Sequence, residues 1–178
     1  FIRDGTSWVE QIKIQSSDVG SNDWFGISVS ISGDYAIVGA RIGVYIFKRD
    51  GISWVQEAKL VEDANDRFGW SVAISGDYAI VGASREDTGG SDAGAAYIFK
   101  REGTSWLQEA KIQSSDIESD DRFGNSVGIS GDYAIVGARE DTGGSNRGAS
   151  YVFKRDGTSW IQEAKIQSSD ANEGDDFG

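Results

Sequence analysis

Two loops carry the residues best suited to chemistry. Glu86-Asp87-Thr88-Gly89-Gly90-Ser91-Asp92 sets three carboxylates and two hydroxyls on a glycine-flexed stretch, and Glu140-Asp141-Thr142-Gly143-Gly144-Ser145-Asn146 echoes it. Hard cations such as Ca2+ take about six to eight oxygen ligands, so Glu86, Asp87, Asp92, Glu140 and Asp141 are candidate calcium ligands. The linker Asp116-Ile117-Glu118-Ser119-Asp120-Asp121 would add Asp120 and Asp121 to the same ion. The spacing matches no EF-hand, and a polar connector that turns on Gly-Gly is the competing reading.

Other chemistry finds little footing. The chain has no His and no Cys, hence no imidazole base and no thiolate nucleophile or ligand. Paired carboxylates could hydrolyse glycosides, but a catalytic pair occupies one place, and these recur in near-identical copies. The expectation is therefore a protein that is not an enzyme, with Ca2+ as its one candidate cofactor. A formal net charge of −12 opposes nucleic-acid binding, which needs a basic footprint. No apolar run approaches the roughly 18 residues of a membrane-spanning helix, so no membrane insertion is expected.

Six tryptophans could stack a ligand. Trp8, Trp54, Trp106 and Trp160 recur at one place in a repeating pattern and read as packing. Trp24 and Trp70 break that pattern beside Phe-Gly pairs, which makes them the candidate partner-binding residues.

The elements that position these residues come from a repeat of about 50 residues. The phrase SGDYAIVGA stands at 32–40, 75–83 and 130–138; Phe-Gly precedes it at 25–26, 68–69 and 123–124, and a further Phe-Gly stands at 177–178. Downstream come Tyr45-Ile46-Phe47, Tyr97-Ile98-Phe99 and Tyr151-Val152-Phe153, each leading to a Ser-Trp pair. Every unit splits into four short runs rich in Val, Ile, Tyr, Phe and Trp, separated by Gly-Asp or Asp-Gly turns, which predicts a four-stranded antiparallel meander. The second run, Ala134-Ile135-Val136-Gly137-Ala138 in the third unit, is apolar on both faces. A sheet of that kind must be covered on both sides, as in radially stacked blades.

Alternating connections place the strand 2 to 3 loops and the inter-blade linkers on one face. Those segments hold 18 acidic residues and six arginines, a difference of 12, which leaves 11 acids and 11 bases elsewhere. One face is thus expected to carry the whole net charge and to concentrate cations or basic partners.

Phe-Gly opening a strand, IVGA at the following turn and the Tyr-Ile-Phe strand together resemble the FG-GAP repeat, the blade of integrin alpha-subunit β-propellers. The resemblance implies an all-β fold: a β-propeller of four-stranded antiparallel blades, about three and a half of them here. The single array over 1–178 divides into the end of a partial blade (1–14), blades at 24–60, 67–113 and 122–167, and the start of a further blade (176–178). Integrin-type blades often carry a D-x-D-x-D-G calcium loop between the first two strands, and only Ser-Gly-Asp stands there, as at Ser75-Gly76-Asp77. The resemblance also implies an extracellular or cell-surface binding or adhesion module, acting through its acidic loop face on a protein or glycan ligand. The alternative is a structural repeat protein whose copies assemble into a larger ring or an extracellular filament. Half-blades at both ends leave sheet edges unpaired and are expected to need further blades, from a longer chain or from other copies.

Overall fold

Glycines decide where each unit reverses. Gly33, Gly76 and Gly131 hold φ of 57°, 58° and 56°, left-handed values that residues with a Cβ rarely adopt, and each turns a first strand into a second. The computed structural model describes all residues except 19, 141–146, 171 and 173. Its strands are β1 (Ile2–Asp4), β2 (Ser7–Val9), β3 (Ser28–Ser32), β4 (Tyr35–Ala40), β5 (Gly43–Asp50), β6 (Ser53–Leu60) and β7 (Ser71–Ser75). They continue with β8 (Tyr78–Ala83), β9 (Ala95–Glu102), β10 (Ser105–Ile112), β11 (Phe123–Ser130), β12 (Tyr133–Ala138), β13 (Ala149–Asp156) and β14 (Ser159–Ile166).

Three four-stranded sheets follow chain order, β3 to β6, β7 to β10 and β11 to β14, and they are called blades 1, 2 and 3 below. All neighbours pair antiparallel, so the predicted meander is the one observed. β1 and β2 form a separate two-stranded sheet. The Phe-Gly pair differs from expectation in two blades: β3 and β7 start three residues after the Phe. Gly26 and Gly69 sit at φ of 94° and 90°, and each pair forms a tight turn entering the strand. No α-helix occurs among the described residues, and a short 3-10 turn, Ala64–Asp66, interrupts the linker into blade 2.

Blades pack face to face. Ile37, Val44 and Ile46 of blade 1 share one core with Val72, Ile74 and Val81 of blade 2, and Ile80 and Ile98 join Val136 and Tyr151 of blade 3 in the next. Burying each such side chain contributes about 1.5 to 3 kcal/mol. Close approach depends on the IVGA glycine: a Cβ on Gly39 would lie 1.9 Å from the Gly69 carbonyl oxygen, and one on Gly82 would lie 2.0 Å from that of Gly124. The second-strand glycine of one blade thus receives the Phe-Gly glycine of the next. Serines tie the innermost strands: the Ser32 hydroxyl accepts from the Gly76 amide at 3.1 Å, and the Ser75 hydroxyl accepts from the Gly131 amide at 3.2 Å.

Candidate functional site

The loops between second and third strands do meet the linkers on one face. The Asp120 amide donates to the Ser91 carbonyl at 2.8 Å and the Phe123 amide to the Ala93 carbonyl at 2.9 Å, zipping the linker out of blade 2 along that blade's own loop.

Three carboxylates on this face serve a lock that repeats in every blade. A fourth-strand lysine lies over a third-strand tyrosine: Lys59 over Tyr45 at 5.2 Å, Lys111 over Tyr97 at 5.6 Å and Lys165 over Tyr151 at 5.4 Å. A carboxylate completes each one. Asp18 accepts from Lys59 Nζ at 2.7 Å and from the Tyr45 hydroxyl at 2.9 Å, and Asp116 accepts from Lys165 Nζ at 2.8 Å. Both belong to a Gln-Ser-Ser-Asp linker entering the blade they grip. The linker into blade 2 reads Val61-Glu62-Asp63 instead, and there Glu86 from the blade's own loop takes the role, 2.7 Å from Lys111 Nζ. The hydrogen bonds of Lys59, and next of Tyr45, hold the Asp18 carboxyl down to about 2. Burial resists ionisation of Glu86, yet the Lys111 and Thr88 hydrogen bonds outweigh it and keep that carboxyl below its usual range.

The candidate calcium ligands are dispersed among these and other pairings. Glu86 also accepts from Thr88, and Asp87 Oδ1 accepts the Asp92 amide at 2.8 Å. Asp92 stands 3.9 Å from Arg85, and Glu140 stands 2.7 Å from Arg122 Nη1. Asp120 lies at the seam between loop and linker, while Asp121 is buried and accepts the Glu118 amide at 2.7 Å. Asp141 lies outside the described residues. Among the described residues no cluster of three or more His, Cys, Asp or Glu could hold a metal ion. Two of the cations that answer these carboxylates, Lys111 for Glu86 and Arg122 for Glu140, come from a strand and a linker outside the loops, whereas Arg85 directly precedes Glu86.

Trp24 and Trp70 are brought together. Their rings meet edge to face at 5.7 Å, the Arg67 guanidinium lies 4.5 Å above Trp70, and Trp24 is 53% exposed. Trp24 and Arg67 both precede a Phe-Gly pair and hold left-handed φ of 53° and 58°. Arg67 was not singled out by its type; only its place before Phe-Gly, equivalent to that of Trp24, marks it.

A third constellation lies between blades. Tyr35 of blade 1 is clamped by two residues of blade 2: Trp106, edge to face at 5.9 Å, and Arg101, 4.7 Å above the ring. Tyr78 of blade 2 is clamped by Trp160 at 6.0 Å and Arg155 at 4.8 Å of blade 3. A bulge completes each clamp. The β5/β6 and β9/β10 registers skip Glu57 and Glu109, and the skipped glutamates accept from Trp106 Nε1 at 3.2 Å and Trp160 Nε1 at 3.4 Å. Each half of this clamp also occurs without its mate. Tyr133 and Glu163 of blade 3 face no Trp or Arg of a following blade, and Tyr133 is 46% exposed. At the other end, Arg49 and Trp54 of blade 1 have no tyrosine to hold, and the Arg49 side chain is 54% exposed against 25% for Arg101.

Comparison with known proteins agrees with the fold. No curated protein matches the chain by sequence. Among solved structures, the N-terminal domain of Nup159 is similar at 8% identity and a TM-score of 0.44, covering 80% of this chain and 30% of that one. A complex of S. cerevisiae dbp5 with nup159, gle1, ip6 and adp is similar at 10% identity and a TM-score of 0.35, covering 76% and 46%. The chain thus spans less than half the length of either. The expected extracellular or cell-surface location does not stand: the similar structures are of Nup159 and of a complex that contains it. Residues 8–47, 54–99 and 106–153 match the FG-GAP repeat. With its four-stranded blades and its Phe-Gly to Gly contacts, the chain belongs to the FG-GAP repeat family and is a non-enzymatic repeat module of that family.

Proposed function

We propose that this chain is a structural docking module that joins further blades into a larger assembly through its blade faces. One observation carries the reading: the clamp that binds blade 1 to blade 2 and blade 2 to blade 3 is present in two unpaired halves, one on each outer blade. Apolar surface accompanies them. Val29 and Ile31 of β3 are 67% and 66% exposed, whereas their blade 2 equivalents Val72 and Ile74 are 7% and 5% exposed. Contiguous apolar surface of this kind marks an interaction site. Light scattering across a hundredfold concentration range tests the reading: mass should rise with concentration, and a constant 19.2 kDa would overturn it.

A second reading is favoured by the loop face. Interface hot spots are rich in Trp and Arg, and exposed Trp24 with half-buried Trp70 and Arg67 forms an aromatic and cationic stack there. Docking of a protein on this patch would be lost on Trp24→Ala with no change in self-association. Retention of partner binding in that variant, measured by titration calorimetry, would remove this reading.

A further inference from the structure

One position of the Phe-Gly turn changes from blade to blade in a way that packing does not explain. The residue before the Phe is Trp24, Arg67, Arg122 and Asp176 in turn, and all four hold left-handed φ, at 53°, 58°, 54° and 53°. Bulky residues adopt this conformation rarely, and such strain collects at functional sites.

Each of the first three stands beside the start of a loop through the same backbone hydrogen bond. The amides of Arg41, Arg85 and Glu140 donate to the carbonyls of Asp23, Asp66 and Asp121 at 2.7, 3.0 and 3.2 Å. Three equivalent pairs result: Trp24 with Arg41, Arg67 with Arg85, and Arg122 with Glu140. Blade 3 closes its pair as an ion pair, with Arg122 Nη1 2.7 Å from Glu140, and Arg139 is answered by Asp176 at 3.1 Å. Blade 2 sets two guanidinium groups where blade 3 sets a cation and a carboxylate. Arg85 reaches only Asp92, at 3.9 Å, and among the described residues no carboxylate lies within 4 Å of Arg67 or Arg41. Burial, and next the charges of Arg85 and Arg122, push the Arg67 guanidinium below its ordinary range.

Resting on the reading that a protein docks at this patch, we propose that Arg67 and Arg85 hold a carboxylate of that partner, with Trp24 and Trp70 packing beside it. Stacking 4.5 Å over Trp70 fixes the Arg67 guanidinium, and a fixed guanidinium offers a preorganised fork of donors that matches a carboxylate. The carboxylate supplies in trans what Glu140 supplies to Arg122 within the chain.

The surroundings specify a carboxylate with basic flanks rather than a polyanion. Glu62, Asp63 and Asp87, on the linker and loop of the same blade, are exposed. They attract Lys or Arg on either side of the bound carboxylate, and the net charge of −12 repels a nucleic acid or an anionic surface.

Fluorine NMR of the whole chain labelled with 5-fluorotryptophan tests the site, with Trp24→Phe and Trp70→Phe assigning the two signals. The probes are the peptide Lys-Lys-Glu-Leu-Glu-Lys-Lys, the same peptide with both Glu replaced by Gln, and inorganic phosphate. The Glu peptide is expected to shift both signals with a Kd below about 1 mM, about tenfold tighter than the Gln peptide or phosphate. Arg67→Gln should weaken it about tenfold. Arg85→Glu, which copies the pair of Arg122 and Glu140 in blade 3, should keep the melting temperature and lose the preference for Glu over Gln. Equal shifts by the two peptides, or a preference that survives Arg85→Glu, would overturn the carboxylate site while leaving protein docking at the patch intact. Phosphate bound as tightly as the Glu peptide would overturn a protein carboxylate as the occupant. No shift with any probe would overturn both.

Discussion

Blades 2 and 3 share the same strands, turns and lysine lock, yet blade 2 is covered on both faces and blade 3 on one. Ile80 and Ile135 are the same residue of the same phrase, at 0% and 44% exposure. The difference lies in whether a neighbour supplies the Trp and Arg, since blade 3, like blade 2, already receives a Phe-Gly glycine, Gly178 against Gly137. In a repeat array, stability is a sum over blades and the interfaces between them, so identical residues acquire different weights from position alone.

The sharpest way to break the comparison is Gly82→Ala. Its Cβ would stand 2.0 Å from the Gly124 carbonyl oxygen, a backbone atom that cannot move without separating the blades, and a loss of about 4 kcal/mol or failure to fold is expected. Gly128→Ala in blade 3 meets only the Ile135 side chain at 3.1 Å and copies Ala73 of blade 2, so it should change stability by less than about 1 kcal/mol. Chemical denaturation of both variants gives the contrast. Next in size, Ile80→Ala should cost about 3 kcal/mol through the cavity it leaves, and Ile135→Ala less than about 1 kcal/mol when measured at low micromolar concentration. Equal losses would mean that the face of blade 3 is covered even in dilute solution.

A smaller effect separates blade 2 from its neighbours by pH. The Glu86 carboxyl is held below its unfolded value, so its contribution is complete above about pH 4.5 and disappears as pH falls through the folded value. Glu86→Gln should therefore lower the melting temperature by a few degrees at pH 7 and flatten its decline between pH 5 and about pH 3. An unchanged acid profile would mean that Lys111 finds another partner. Smallest of all is the response to Ca2+. With the loop carboxylates paired to Lys111, Arg85 and Arg122, added Ca2+ or EDTA is expected to move the melting temperature by less than about 1 °C. A rise of several degrees would restore these residues as ligands.

Strands, turns and the blade architecture were legible because SGDYAIVGA repeats the same turn glycine and the same doubly apolar strand three times. The lysine lock was not, since Glu86 and Lys111 stand 25 positions apart and the loop displays its carboxylates without their partners. The clamp was half legible. The recurrence of Trp106 and Trp160 marked them as packing residues, but their partners Tyr35 and Tyr78 lie in the preceding repeat, and the bulges that aim Glu57 and Glu109 leave no trace in residue type. Patterns local to a strand are read from its own residues, whereas contacts between repeats depend on register and stacking.

The central claim, that the uncovered face of blade 3 is a docking surface, is tested most directly by sedimentation velocity of the wild-type chain beside Ile135→Asp. The account predicts concentration-dependent growth of the wild type and a monomer for the variant, with equal melting temperatures in dilute solution. A wild type that stays monomeric at every concentration, or a variant that associates as the wild type does, would contradict it.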